Sequence, residues 1–153
     1  MLEIIMDKHN TFLEKVKTKG NLKDLDEAKR ATEVLFRTMR DVMTTEASER
    51  VAQELDQADE RREQSGLPEA DVEELWEDTN PLVGFLSKLR PQLKIKPENF
   101  LIRLRQEGNL PGADAVPIVK AIFSATKEEL SQERIQEIAG FLPGEIRQMW
   151  EES

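Results

Sequence analysis

Apolar residues recur at three- and four-residue intervals along most of the chain, with charged residues between them. This spacing places the apolar side chains on one face of an α-helix. It predicts a helix over residues 7–19, a second from Asp24 or Asp26 to about Met43, and a third that restarts at Thr44. No segment alternates convincingly between apolar and polar residues, so we expect no strands. The pattern predicts an all-α fold.

Glycine, asparagine and proline residues mark the points where these helices end and begin. Gly20-Asn21 is expected to end the first helix, because both residues tolerate a left-handed backbone. Pro68 suits the first turn of a short helix that ends at Trp76, since the amide hydrogen it lacks is not needed there. Pro91 and Pro97 bracket a short link that we expect to be non-helical.

The same landmarks occur in the same order in both halves of the chain. They are Phe-Leu, Gly-Asn-Leu, a Thr or Ser cap, and a Leu-Pro segment that closes with Trp-Glu. The copies lie 88 residues apart at first, 87 after the second helix, and 74 at Trp76 and Trp150. We therefore predict internal duplication, with two copies of a multi-helix unit in a pseudo-symmetric bundle joined by a linker helix.

The predicted organisation has three parts. Residues 1–79 form a first helical repeat, residues 80–97 a linker helix that opens at Pro81 with the proline-bracketed link, and residues 98–153 a second helical repeat. The drop in offset from 87 to 74 means that the first repeat carries about thirteen extra residues, near residues 56–66. This insert is charged and lacks strong apolar anchors. We expect it to extend the third helix into solvent and to end in a loop.

Composition narrows the range of functions. The chain has no cysteine and one histidine, which excludes thiol catalysis and disulfides and argues against a histidine-based metal site. The net charge is −9, and residues 54–78 hold eleven acidic and two basic residues, a difference of nine that equals the whole imbalance. An acidic chain repels phosphate backbones, so nucleic acid is not expected as a partner. We interpret the basic run from Lys88 to Arg105 as a solvated face or a mate for the acidic stretch.

The N-terminal segment Met1–Asp7 carries two acidic residues, whereas a signal peptide needs a basic end and an apolar run. No apolar stretch approaches the ~20 residues that cross a bilayer. We therefore expect a cytoplasmic protein without a membrane span.

Several short motifs, most of them at predicted core positions, carry a resemblance to a known family. Phe-Leu-x-x-Val, Gly-Asn-Leu, the alanine-rich second helix and the ending Leu-Pro-x-x-Ile-Arg-x-x-Trp resemble the bacterial family named domain of unknown function 2267. The resemblance covers residues 9–78 and 96–152 and is closer in the second copy. It implies an all-helical fold that often occurs as tandem copies. It implies no activity, since the family has none assigned.

Several features are candidates for a functional site, and each has a plainer structural interpretation. Trp76 and Trp150 are residue types that anchor partners, but large aromatics usually serve the core, where we expect both. His9 has only Asp7 as an acidic neighbour and is interpreted as a surface or partly packed histidine. The carboxylates of the acidic stretch have helical spacing and predict a solvated face, not a calcium loop. Residues 108–112 follow a helix and predict a turn, not a phosphate-binding loop.

No catalytic, cofactor-binding or metal-ligating set emerges from these residues, and two hypotheses of function remain. The first is a non-catalytic protein-interaction or regulatory module whose partner contacts the insert or the proline-bracketed link. Deletion of residues 57–65 is then expected to leave folding intact. The second is a small-molecule binding protein or enzyme with its site between the two repeats. The charged residues that can line such a site are Glu33, Glu137, Arg37 and Arg134.

Overall fold

The computed structural model describes residues 11–64, 72–77, 92–110, 112 and 114–153. Every regular element in this part of the chain is an α-helix, which confirms the predicted fold class. The helices are α1 Thr11–Gly20, α2 Leu25–Val42, α3 Thr45–Gln64, α4 Val72–Trp76, α5 Pro97–Glu107, α6 Ala115–Lys127, α7 Gln132–Ala139 and α8 Gly144–Glu152. None of these described helices combines the length and apolarity that a bilayer crossing requires.

Local capping bonds begin the helices where the sequence predicts them. Asp24 begins α2, because its side chain accepts a hydrogen bond from the Glu27 amide at 2.9 Å. Ser131 begins α7 in the same way, with its hydroxyl 3.3 Å from the Arg134 amide. Such bonds satisfy amide groups that have no partner inside the helix. Both starts are therefore encoded within a few residues of sequence.

The turns that follow α1 and α5 have closely similar geometry. Asn21 and Asn109 have left-handed backbones, with φ of 56° and 57°. The amide after each asparagine donates to the carbonyl five residues earlier, at 2.9 Å in the first turn and 2.8 Å in the second. At Gly108 an added Cβ would lie 2.4 Å from the Leu104 carbonyl oxygen, so only glycine fits there. The predicted turns are confirmed at both asparagines.

The core forms where the first helix of each half packs against the second helix of the other half. We define the halves as residues 11–77 and 97–153. α1 packs most extensively against α6, and α5 packs against α2. α4 and α8 pack back onto α2 and α6 respectively, and α3 contacts α7. α2 and α6 consequently lie at the centre, and both are buried on more than one side.

The link between the halves, residues 92–96, is non-helical, as predicted. The Leu93 amide donates to the Asp41 carbonyl at 2.7 Å, and the Gln92 side chain donates to the next carbonyl of α2 at 2.8 Å. These bonds satisfy carbonyls at the end of α2 that have no partner within the helix. Arg103 pairs with the Asp41 carboxylate at 3.0 Å. This residue of the basic run therefore pairs with α2, and not with the acidic stretch as one interpretation expected.

Some predictions concern segments outside the described residues. They include His9, the helix expected to open at Pro81, the helix start at Pro68, the loop expected at the end of the insert, and Lys88. These remain predictions from the sequence.

Candidate functional site

Both tryptophans belong to the core, as the structural interpretation predicts. Trp76 and Trp150 are 0% and 1% exposed, and each indole N–H donates to a backbone carbonyl, at 3.1 Å and 2.9 Å. Their rings meet Phe36 and Phe123 edge to face, with centroids 5.1 Å and 4.9 Å apart. The 88-residue offset instead pairs Phe123 with Leu35. In the first half Leu35 is also buried, but the residue that meets the tryptophan is Phe36, one position later.

The insert is anchored more firmly than its charged sequence suggests. α3 extends into it as far as Gln64, as predicted, but Ala58 and Asp59 are only 4% and 5% exposed. The Asp59 carboxylate accepts hydrogen bonds from the amides of Val72 at 3.4 Å and Glu73 at 3.2 Å. The insert was expected to lack strong apolar anchors, and the anchor that the structure shows is polar, because the Asp59 carboxylate caps α4. Deletion of residues 57–65 would remove this cap, so it is not a neutral test of partner binding.

Two of the four charged residues expected between the repeats, Arg134 and Glu137, lie in an ionic cluster that joins α3 to α7. The Arg134 side chain, 9% exposed, lies 3.3 Å from Glu54 and 2.8 Å from Glu137. Arg50 also pairs with Glu137. The hydrogen bond from Arg50 lowers the pKa of Glu137, and the charge of Arg134 lowers it further. These groups bind one another across the two halves, which gives the cluster a structural role.

The other two, Glu33 and Arg37, line a cleft of about 250 Å³, which we call the α2 cleft. α2 supplies a row of charges whose spacing of three, four and three residues places them on one face. This row is Arg30, Glu33, Arg37 and Arg40. α4 contributes Glu74, Glu77 follows directly after α4, and α5 contributes Glu107. The cleft therefore lies at a junction of the two halves and carries both signs of charge.

The ion pair at the junction is accessible. Arg37 Nη1 lies 2.9 Å from Glu107 Oε1, and the two side chains are 46% and 44% exposed. An ion pair with this exposure stabilises a fold by only about 0–1 kcal/mol, because water screens both charges. Beside it, Arg30 Nε donates to the Gly108 carbonyl at 3.3 Å. The Arg37–Glu107 pair can consequently be exchanged for a pair with another molecule at little cost to the fold.

Glu73, the neighbour of the cleft-lining Glu74 on α4, has a carboxyl group with an unusual pKa. Burial raises the pKa of Glu73 to about 7, together with a side-chain hydrogen bond to Glu77 and the nearby charges of Asp56 and Asp59. The hydrogen bond to Glu77 requires a proton on one of the two carboxyl groups. The α4 segment therefore changes its charge close to neutral pH.

The chemistry that the α2 cleft offers is ionic. The lining residues that the structure describes carry guanidinium, carboxylate and aliphatic groups, and none is a hydroxyl, thiol or imidazole. Across the described part of the chain, no three histidine, cysteine or acidic residues are grouped in a way that could hold a metal ion. Guanidinium groups form strong, directional hydrogen bonds to carboxylates. The cleft is thus suited to binding charged groups of another molecule.

The sequence profile of the family described as uncharacterized conserved protein (DUF2267) matches residues 9–149. The chain belongs to the DUF2267 family. The match runs through both halves and the insert as one span, and the description of DUF2267 names no activity. No curated protein matches the chain.

The description of DUF2267 names no binding site, so the α2 cleft is identified from the structure. The sequence contained a local signal for Arg30 and Arg40, since both continue the helical spacing of Glu33 and Arg37. It contained none for Glu107, which reaches Arg37 only because α5 packs against α2. Sequence reasoning therefore identified two residues of the cleft and missed the helices that complete it.

Proposed function

We propose that this protein is a non-catalytic interaction module that binds a protein partner through the α2 cleft. The observation that carries the proposal is the exposed Arg37–Glu107 pair inside a cleft lined by three arginines and four glutamates. Complementary charges across an interface contribute specificity and speed of association more than raw affinity. We propose this cleft as the partner surface instead of the insert or the link, because Asp59 of the insert and Gln92 of the link have structural roles.

The size and lining of the cleft favour a macromolecular partner over a small ligand. Small-molecule sites typically occupy about 300–1,000 Å³ and are lined mostly by apolar groups. The α2 cleft, at about 250 Å³, is smaller and is lined mainly by charges. A charged segment of another protein can use such a cleft while the rest of that protein contacts the surrounding surface.

The test is capture of partners from the native host with three forms of the full-length chain. Arg37→Glu reverses one charge inside the cleft, and Arg147→Glu reverses one on α8, where Arg147 is 54% exposed and pairs with Glu151. We expect a partner to be retained by the wild type and by Arg147→Glu and lost by Arg37→Glu. Equal recovery by all three forms would contradict a role for the cleft.

A second candidate function is the binding of a small charged molecule in the same cleft, as a binding protein or an enzyme. It is supported by the position of the cleft between α2 and α4 of the first half and Glu107 of the second. A thermal-shift screen with metabolites tests it, since a ligand at 100 times its dissociation constant adds about 2.7 kcal/mol of stability. A shift that Arg37→Glu removes would favour this candidate, and a screen without shifts would favour the protein partner.

We further propose that the halves arose by duplication and that the protein is bacterial and cytoplasmic. The matching turns at Asn21 and Asn109, and the matching bonds of Trp76 and Trp150, support the duplication. Separate expression of residues 97–153 tests it, because a duplicated unit should self-associate to replace the missing half. A monomer without helical structure would contradict this.

A further inference from the structure

We infer that the α2 cleft selects a partner segment in which an acidic residue is flanked by basic residues; this inference rests on the proposed function. Its starting point is the distribution of charge among the three helices. The arginines of the lining all belong to α2, which also carries Glu33, whereas every charged lining residue at α4 and α5 is a glutamate. The cationic groups therefore form one row, and carboxylates border it.

This distribution disfavours a ligand of a single charge. A purely acidic segment would meet Arg30 and Arg37 but would also approach the carboxylates of Glu74, Glu77 and Glu107. A purely basic segment would meet those carboxylates but would approach the arginines. Like charges held close together in an interface oppose binding, and this opposition contributes to specificity. A segment that places its acid towards α2 and its bases towards α4 and α5 satisfies both sets of groups.

The overall charge adds a preference for a segment with net positive charge. The described lining has three arginines and four glutamates, and the whole chain has a net charge of −9. A negative protein attracts a positive partner over distances longer than a contact, provided that salt is low. Two bases around one acid meet this requirement, whereas two acids around one base do not.

The Arg37–Glu107 ion pair can be replaced by ion pairs with the partner. Its atoms lie 2.9 Å apart, and both side chains are nearly half exposed. When the acid of the partner takes the place of Glu107 on Arg37, Glu107 becomes available to a base of the partner. One intramolecular pair is thereby replaced by two intermolecular pairs of the same chemistry.

Three labelled helical peptides based on alanine test the inference with the full-length protein. Their charged positions, at four-residue spacing, read Lys-Glu-Lys, Lys-Gln-Lys and Glu-Lys-Glu, and affinity is measured by fluorescence anisotropy at low salt. We expect Lys-Glu-Lys to bind about two- to fivefold more tightly than Lys-Gln-Lys, the effect of one exposed ion pair. Glu-Lys-Glu should bind most weakly.

Arg37→Gln should remove the advantage of Lys-Glu-Lys over Lys-Gln-Lys, and the matched surface change Arg147→Gln should leave it intact. This comparison is a double-mutant cycle, in which non-specific attraction to the acidic protein cancels. An advantage that is absent, or that survives Arg37→Gln, would overturn the inference, and so would the absence of binding by all three peptides. If host capture still depends on Arg37 in that event, the proposed function stands and only the charge pattern fails.

Discussion

Two corners of the fold contain the tryptophans: α3 with α4, and α7 with α8. They have the same contacts around the tryptophan and differ in the contacts that surround these. In each corner an indole N–H donates to a backbone carbonyl of the preceding helix, and a phenylalanine of the central helix meets the ring edge to face. These shared contacts bury Trp76 and Trp150 almost completely. Neither indole is therefore accessible to a partner.

The difference lies in how the terminal helix of each corner is fixed. α4 has five residues, and its N-terminal amides are bonded to Asp59 from the extended α3. α8 has nine residues, and Lys127 donates to the carbonyls of Trp150 and Ser153 at its C-terminal end, at 2.8 Å and 2.9 Å. The first corner is thus held by an acid and the second by a base. The α4 corner, which carries the insert, is the one that borders the α2 cleft.

The largest effect is expected from substitutions that remove the tryptophan contacts common to both corners. Trp76→Ala and Trp150→Ala should each lower the free energy of unfolding by about 3–5 kcal/mol, because each empties a packed site and loses a buried hydrogen bond. Chemical denaturation measures both, with Ile102→Ala as a control at a side chain that is 37% exposed. If either tryptophan variant unfolds like the control, its corner is not part of the core.

A smaller effect on stability is expected from removing the Asp59 cap, which belongs to the first corner. Asp59→Ala should lower the free energy of unfolding by about 1–2 kcal/mol, since two amides of α4 lose their acceptor. Asp56→Ala, on the same helix but exposed, should change it by less than about 0.5 kcal/mol. Equal effects of the two substitutions would show that Asp59 does not hold α4.

The smallest effect depends on pH and concerns Glu73. Its pKa is about 7 in the folded chain and 4.5 ordinarily, so the folded state retains a proton that the unfolded state releases between these values. The free energy of unfolding contributed by this group therefore falls as the pH rises from 4.5 to 7. Glu73→Gln removes the titrating group.

Melting temperatures of Glu73→Gln and of the wild type at pH 5 and pH 8 measure this contribution. We expect the melting temperature of Glu73→Gln, relative to that of the wild type, to be higher at pH 8 than at pH 5. Glu49→Gln, at an exposed position of α3, should differ from the wild type by the same amount at both values. A constant difference for Glu73→Gln would mean that the Glu73 pKa is not raised.

The sequence was informative wherever a bond is local. Asp24 and Ser131 cap their helices within three residues, and Asn21 ends α1, so the signals lie beside the structures they specify. The burial of the tryptophans followed from their repeated place in the pattern. Asp59 and Glu107 were not recognised, because their partners lie 14 and 70 residues away in the chain. Only packing brings these groups together, and the cleft depends on such packing.

Site-directed cross-linking tests the role of the α2 cleft most directly. Because the chain has no cysteine, Glu33→Cys and Gln53→Cys can each carry a single photoreactive label, inside the cleft and on the exposed face of α3. In native host extract we predict that one partner cross-links to position 33 and not to position 53, and that adding Arg37→Glu abolishes the product. A partner that cross-links equally from both positions, or only from position 53, would contradict binding through the cleft.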